Sequence, residues 1–587
     1  MHIAYWIFYG IATLLFGAVL ELNKNTIIGW ILLVILAVIF PVLYMTKLSN
    51  GRWFVKLIAW LAYFALFFGI LLATWPPVKA VPASDDPKPE QTGTIMTEDG
   101  LVRGVYSKDH TVEIYTGIPY AKAPVGDLRW RKPQDPEPWD GILECDHFAP
   151  MSMQTTNLPI YDSLVRIIGY SDYKISLRDN YIPPVSEDSL YINVWKPAGE
   201  HENLPVLVYI HGGTLQSGQA WTKDYDGKSF AKNGIVTVNL GYRLGVFGYY
   251  TDMELMAEEG TAGNFGLLDQ IKALEWVRDN IAAFGGDPNN VTIVGESAGS
   301  ACIDALCVSP LAKGLFRRAV LESSTLSSVN PPHSYRDFET ALKSGQSLKE
   351  RYNCSTVEDL RKLDAKTIVG ELSTQHYLTN DGYALLDSPY NTRMSGVHNE
   401  EALLHGYNLE ESGPFIMFSH ANMKNYENRV RAYFRDYADD VLAIYNPTTN
   451  KEADEYWAII YGAVFFNYPH YCLNRLAVKE GIPVYEYLFS KSNGMLSSWH
   501  SGELIYVFKN LEGKKLFDEV DYKLSETMHS YWANFATNGD PNGEGLPTFP
   551  QNTNSAHLLE LGDQVQVIDE PYLALYEVMD RMYGFEI

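Results

Sequence analysis

Three long apolar runs open the chain, and they decide its surroundings before any other feature does. They lie at about residues 3–20, 27–45 and 53–75, and Lys56, near a run end, is the one charge they hold. Each run is long enough to cross a hydrocarbon core as a helix. A cleavable signal peptide has a single short apolar region and a cleavage site, which three consecutive runs do not fit. Several of Trp6, Trp30, Trp53, Trp60 and Trp75 stand near run ends, where interfacial aromatics belong. Residues 1–75 are therefore expected to form a membrane anchor of three transmembrane helices in contact with lipid.

Charge separates this segment from the rest. Residues 1–75 hold Lys24, Lys47, Arg52 and Lys56 against Glu21, a net +3, so the whole-chain −25 leaves −28 for the remainder. An acidic remainder has the wrong sign for a phosphate-binding surface, so nucleic acid is not an expected partner. The most basic short loop runs from Thr46 to Arg52, with Lys56 adjacent. The positive-inside tendency puts that loop in the cytoplasm, the N-terminus on the same side, and the acidic part outside the cell membrane. Residues 76–93 follow as a linker, with five prolines between Pro76 and Gln91. Such composition reads as an extended spacer. Residues 94–587 are expected to form one large catalytic domain. Cys145, Cys302, Cys307, Cys354 and Cys472 make no CxxC pair, so neither a zinc site nor a full disulfide framework is indicated.

From about Thr94 short apolar runs alternate with amphipathic stretches. Leu207–Ile210, Val236–Leu240, Val291–Val294, Ala319–Leu321 and Tyr485–Phe489 read as strands, most of them apolar on both faces. That pattern suits central strands of a mostly parallel sheet covered on both sides. Leu268–Phe284 has helical spacing and stops at Gly285-Gly286-Asp287-Pro288. The alternation argues an α/β fold.

Gly295-Glu296-Ser297-Ala298-Gly299 follows the strand ending at Val294 and precedes a run of small residues. A serine on a tight strand-to-helix turn exposes its Oγ above the sheet and aims the next amide at a developing oxyanion. Upstream, His211-Gly212-Gly213-Thr214-Leu215 closes another strand, and its glycines can turn backbone N–H groups into a cavity.

Longer strings give a resemblance. They include Gly117-Ile118-Pro119-Tyr120-Ala121, Leu128-Arg129-Trp130, Ser186-Glu187-Asp188-Ser189-Leu190-Tyr191-Ile192-Asn193, and Gly263-Asn264-Phe265-Gly266-Leu267-Leu268-Asp269-Gln270. On these the chain resembles the type-B carboxylesterase and cholinesterase-like family, within the α/β-hydrolase superfamily, from about Thr94 to Tyr576. The resemblance implies an α/β-hydrolase fold, with a large mostly parallel central sheet flanked by helices. It also implies a serine esterase with Ser297, Glu411 and His500 as catalytic residues. Glu411 stands in Gly406-Tyr407-Asn408-Leu409-Glu410-Glu411-Ser412, where Glu410 and Ser412 depart from the family's Asp and Gly. His500 opens His500-Ser501-Gly502-Glu503-Leu504, and the chain order Ser, Glu, His is that of α/β hydrolases. By the same resemblance the backbone N–H groups of Gly213, Thr214 and Ala298 form the oxyanion hole, and Glu296, Ser323 and Glu503 a supporting network. Thr214 stands where the family usually has Gly or Ala.

Two departures shape the substrate expectation. Ser152 and Ser189 replace a pair of family cysteines, so that disulfide is missing. The loop between them lacks the tryptophan that choline-binding members use as a cation platform. The chain is closest in character to disulfide-free bacterial p-nitrobenzyl-type esterases, and short or medium acyl or aryl esters are the expected substrates. No metal, nucleotide or flavin motif appears, so no cofactor is expected. The alternative is a catalytically inactive, membrane-tethered adhesion module on the same fold; the intact Ser297, Glu411 and His500 strings favour the enzyme.

Overall fold

In a lipid-facing helix every backbone polar group must find a partner inside the helix or on a neighbour, and the first residues obey that demand. The computed structural model describes residues 2–155, 159–170, 175, 180–370, 376–492, 498–511, 517–553 and 557–587. Within it, α1 (His2–Leu22), α2 (Ile27–Leu43, continued by a π turn over Tyr44–Leu48) and α3 (Trp53–Ala73) match the three apolar runs. All three helices are long and apolar enough to cross a membrane. Pro41 lies inside α2 and has no N–H for the carbonyl of Ala37. The hydroxyl of Tyr9 donates to that carbonyl instead. Phe16, Phe40, Tyr63 and Phe67 fill the space between the helices, with Phe16 stacked on Phe67 at 3.7 Å between ring centres.

The polar groups of this unit gather at one end. Asn25 is fully buried in the turn between α1 and α2, and its Nδ2 donates to the Leu71 carbonyl at 2.8 Å and to Thr74 Oγ1 at 2.9 Å. Asn23 Nδ2 donates to Asn25 Oδ1 at 2.7 Å, and the Thr26 N–H bonds the Thr74 carbonyl at 3.0 Å. The end of α1, the start of α2 and the end of α3 are thus knotted together.

Residues 156–184 also belong to this unit, which otherwise comprises residues 1–80; Val81–Thr155, Val185–Glu512 and Phe517–Ile587 form the second unit. The excursion holds α4 (Pro159–Tyr170), which packs against α1. Ser163 Oγ donates to the Leu22 carbonyl at 2.7 Å, and Asn180 Nδ2 to the Asn25 carbonyl at 3.2 Å. Ile182 pairs with the chain just after α3, through bonds of 3.0 Å to Pro77 and Lys79.

In the second unit the strands are β1 (Gln91–Met96), β2 (Leu101–Tyr106), β3 (Val112–Pro119), β4 (Ile142–Glu144), β5 (Met151–Ser152), β6 (Val185–Ser186), β7 (Tyr191–Pro197) and β8 (Leu204–Ile210). Then come β9 (Val236–Leu240), β10 (Gly286–Glu296), β11 (Arg318–Glu322), β12 (Ala402–Asn408), β13 (Val484–Phe489), β14 (His557–Leu561) and β15 (Val565–Asp569). Among the described residues, thirteen form one sheet in the order β1-β2-β3-β7-β9-β8-β10-β11-β12-β13-β14-β15, with β4 beside β2. Neighbours from β9 to β14 run parallel and those at either edge antiparallel, apart from the short β4, which is parallel to β2. In this parallel centre β9, β11, β12 and β13 are buried along their whole length, covered on both faces, so they carry few polar residues. The predicted helix appears as Phe265–Asn280 with a 3-10 turn over Ile281–Phe284.

All five cysteines are free. Ser152 and Ser189, at the family's cysteine positions, are buried; Ser152 Oγ donates to the Tyr242 carbonyl at 2.6 Å. The short pair β5 and β6 closes the foot of the excursion in parallel register, Met151 with Val185 and Ser152 with Ser186.

Candidate active site

The central strand β10 ends at Glu296, and the next residue takes a conformation that side chains rarely adopt. Ser297 has φ +56° and ψ −127°, and Ala298–Val308 continues as helix. The flanking glycine is sterically required: a Cβ on Gly299 would lie 2.1 Å from the Ile210 carbonyl oxygen. Ser297 N–H bonds the Glu322 carbonyl at 2.9 Å, which fixes the strained residue to the neighbouring strand.

Beyond β8 the glycine turn comes close to this serine. A Cβ on Gly212 would sit 2.9 Å from Ser297 Cβ. Gly213, Thr214 and Leu215 all have positive φ, at +110°, +57° and +61°. The N–H groups of Gly213, Thr214 and Ala298 have no hydrogen-bond partner among the described residues. Gln154 secures the turn: its Oε1 accepts from the Gly218 N–H at 3.0 Å and its Nε2 donates to the Gly218 carbonyl at 2.7 Å.

Glu411 lies just past β12, and His500 on a separate loop, yet the two meet. His500 Nδ1 is 2.5 Å from Glu411 Oε2, and both side chains are buried. The other Glu411 oxygen accepts from the Asn408 N–H at 2.7 Å. Asn408 Nδ2 ties the two loops together by donating to the Trp499 carbonyl at 2.8 Å and to Glu503. His500 Nε2 lies 3.3 Å from Glu296 Oε1, which also accepts from Ser501 Oγ at 2.6 Å. Ser323 Oγ is 3.5 Å from Glu503 Oε1, a weak contact, whereas Ser323 N–H bonds the Gly406 carbonyl at 2.8 Å. The rings of Phe466 and Phe415 pack on His500, at 4.8 and 5.1 Å between ring centres. Phe466 reaches it from a π turn, Ala463–Asn467, a local widening often found at functional sites.

The electrostatics follow from this crowding of carboxylates. Burial works against charge on His500, but Glu296 and Glu411 outweigh it and raise the imidazole to about 9. Burial also raises the Glu296 carboxyl, and together with Glu296 and Glu411 it pushes Glu503 to about 8. An imidazole backed by a buried carboxylate can accept a proton from a neighbouring hydroxyl once it is neutral. No group of three or more His, Cys, Asp or Glu side chains among the described residues is arranged to hold a metal ion.

Of the sequence-predicted residues, His500 is in contact with Glu411 and Glu296, Ser297 directly follows Glu296, Ser323 and Glu503 approach each other at 3.5 Å, and Gly213 and Thr214 follow Gly212, which packs close to Ser297. Sequence reasoning passed over Asn408, although it stood inside a quoted string, over Gln154, and over Phe466, whose segment carries no motif.

A mostly parallel sheet with a strained serine turn after its central strand defines an α/β hydrolase. The chain belongs to the carboxylesterase family, whose model matches residues 91–578. Among its relatives are the medium-chain fatty acyl-CoA hydrolase precursor of Anas platyrhynchos, 32% identical over 80% of this chain and 88% of that protein. The para-nitrobenzyl esterase of Bacillus subtilis is 30% identical over 81% of this chain and 96% of that one. A carboxylesterase crystal structure from Geobacillus stearothermophilus superposes with a TM-score of 0.70 at 30% identity, covering 83% of this chain and 100% of that one. The protein is a carboxylic ester hydrolase.

Proposed function

We propose that the protein is a membrane-anchored serine carboxylesterase that cleaves short or medium acyl or aryl esters through an acyl-enzyme on Ser297. The observation that carries the reading is the buried His500–Glu411 contact of 2.5 Å, with His500 Nε2 3.3 Å from Glu296 and the next residue, Ser297, held at φ +56°. Neutral His500 takes the proton as Ser297 Oγ attacks the ester carbonyl, and returns it to the departing alcohol. Glu411 holds the imidazole tautomer and stabilises its cation. The unpartnered N–H groups of Gly213, Thr214 and Ala298 receive the oxyanion. Water activated by His500 then clears the acyl group. Glu296, Ser323 and Glu503 support the geometry from below. Reaction with a fluorophosphonate probe tests the assignment: the native chain labels and Ser297→Ala does not, whereas equal labelling of both overturns it.

The names of the relatives, a medium-chain acyl hydrolase and a p-nitrobenzyl esterase, support the acyl and aryl range. A chain-length series of p-nitrophenyl esters measures it; a maximum at long acyl chains with micelle activation sinks it. Three apolar helices and the basic Thr46–Arg52 loop support an anchor in the cell membrane with residues beyond 95 outside. Protease shaving of intact cells removes that portion if the orientation is right and spares it if not.

A further inference from the structure

The excursion 156–184 departs from the catalytic unit and returns to it, yet its described residues bond to the anchor. Three contacts hold it at the knotted end of the helices: Ser163 to the Leu22 carbonyl, Asn180 to the Asn25 carbonyl, and Ile182 to Pro77 and Lys79. That end gathers the close of α1, the start of α2 and the close of α3, which three successive crossings place on one membrane face. Lys79 also lies 5.4 Å over the Tyr181 ring. On α4 itself, Ser163 is buried toward α1, while Tyr161 and Leu164, one turn apart, are 56% and 40% exposed. Ile160 and Ile167 are half-buried. A helix that shows Tyr and Leu outward at the rim of a transmembrane bundle has the composition of a segment lying in the headgroup layer. The aqueous alternative would leave these side chains in water beside a helix bundle whose outer surface is apolar. The apolar outer surfaces of α1–α3 supply the continuity: α4 packs against α1 and adds the exposed Tyr161 and Leu164 beside its end.

We propose that α4 is an interfacial helix, with Tyr161 and Leu164 embedded in the headgroup layer of the bilayer, so that the catalytic unit is held to the membrane by two routes. One route is the chain after α3, and the other is the excursion between β5 and β6. Such a helix needs little affinity of its own, because the spans already hold it at the surface. The proposal rests on the anchor reading, and the experiment separates the two. Full-length protein in phosphatidylcholine vesicles carries an environment-sensitive thiol dye at Leu164→Cys or Tyr161→Cys, in a Cys354→Ser background whose other four cysteines are buried. Leu14→Cys, at a position 76% exposed within α1, reports on the span, and Lys451→Cys, with a side chain 85% exposed in the catalytic unit, reports on water. The expected result is blue-shifted emission at 161 and 164 that is quenched by a nitroxide lipid labelled near the headgroup and shielded from iodide. Leu14→Cys should respond to a nitroxide near the acyl end, and Lys451→Cys to iodide. Iodide quenching at 161 and 164 with an intact Leu14 response overturns the interfacial helix, as does silence toward both quenchers. Loss of the Leu14 response overturns the anchor reading itself.

Discussion

The two units solve opposite solvent problems with the same residue types. In the catalytic unit the bulky apolar side chains Trp130, Trp195 and Trp532 are buried, and the buried charges pair with one another, as Arg393 does with Asp304 and Glu400. In the helical unit Ile3, Leu14, Val38, Leu61 and Phe68 face outward, while Asn23, Asn25 and Thr74 are buried. Outward apolar groups are what a lipid solvent requires, and buried amides that bond one another are what it demands of polarity. Both units bury hydrogen-bonded polar groups; the difference lies in the outward surface, which is apolar along the three helices.

This contrast predicts that damage stays within its unit. Ser297→Ala should have the largest effect, reducing ester turnover toward the ~10³–10⁴-fold over water that a site without its nucleophile retains. Carbonate extraction of membranes should find the variant as firmly bound as the parent; release would break the separation of roles. Asn25→Ala should do the reverse. It strips partners from Asn23 and Thr74 in a buried knot, at a cost of about 1–3 kcal/mol. Thermal unfolding in detergent should show an earlier transition for the helical unit, with kcat on a soluble ester unchanged.

The next effect is a shift rather than a loss. A base must be neutral to act, and His500 is raised to about 9, so kcat/KM should climb as pH rises through that value. Glu296→Gln removes a carboxylate 3.3 Å from Nε2 and should move the rising limb to lower pH, read from pH–rate profiles. An unmoved limb would show that Glu411 alone sets the imidazole. Thr214→Gly should act least. It relieves a left-handed backbone strain of about 1–2 kcal/mol, partly offset by the added freedom of glycine in the unfolded chain. A small stability change with a wider acyl range is expected from thermal melts and the ester series.

Features written locally were legible in the sequence. Val236–Leu240 matches its strand to the residue, and Val291–Val294 lies inside β10, because burial on both faces leaves a run of apolar and β-branched residues with almost no charge. The Ser297 turn was legible for the same reason: its steric demand falls on residues within two positions. Glu411 and His500 were different. They lie far apart in the chain, and only their surrounding strings, by resemblance, brought them together; no spacing rule forecasts a contact across two loops. Phe466 had no signal at all, since a π turn depends on the packing it serves. The excursion was also hidden. A twelve-residue amphipathic helix between two short strands reads like any surface helix, and the bonds of Ser163 to Leu22 and of Asn180 to Asn25 span more than a hundred residues.

The parallel closure of β5 on β6 bears on what limited proteolysis of this chain would release. Shedding by a surface protease usually takes one cut in the stalk. Here a nick after Ala80 would sever the chain but leave Ser163, Asn180 and Ile182, from within the catalytic sequence, bonded to the helical unit. Release of a soluble esterase would require further cuts inside that excursion, so a nicked but retained enzyme is the expected product of limited proteolysis.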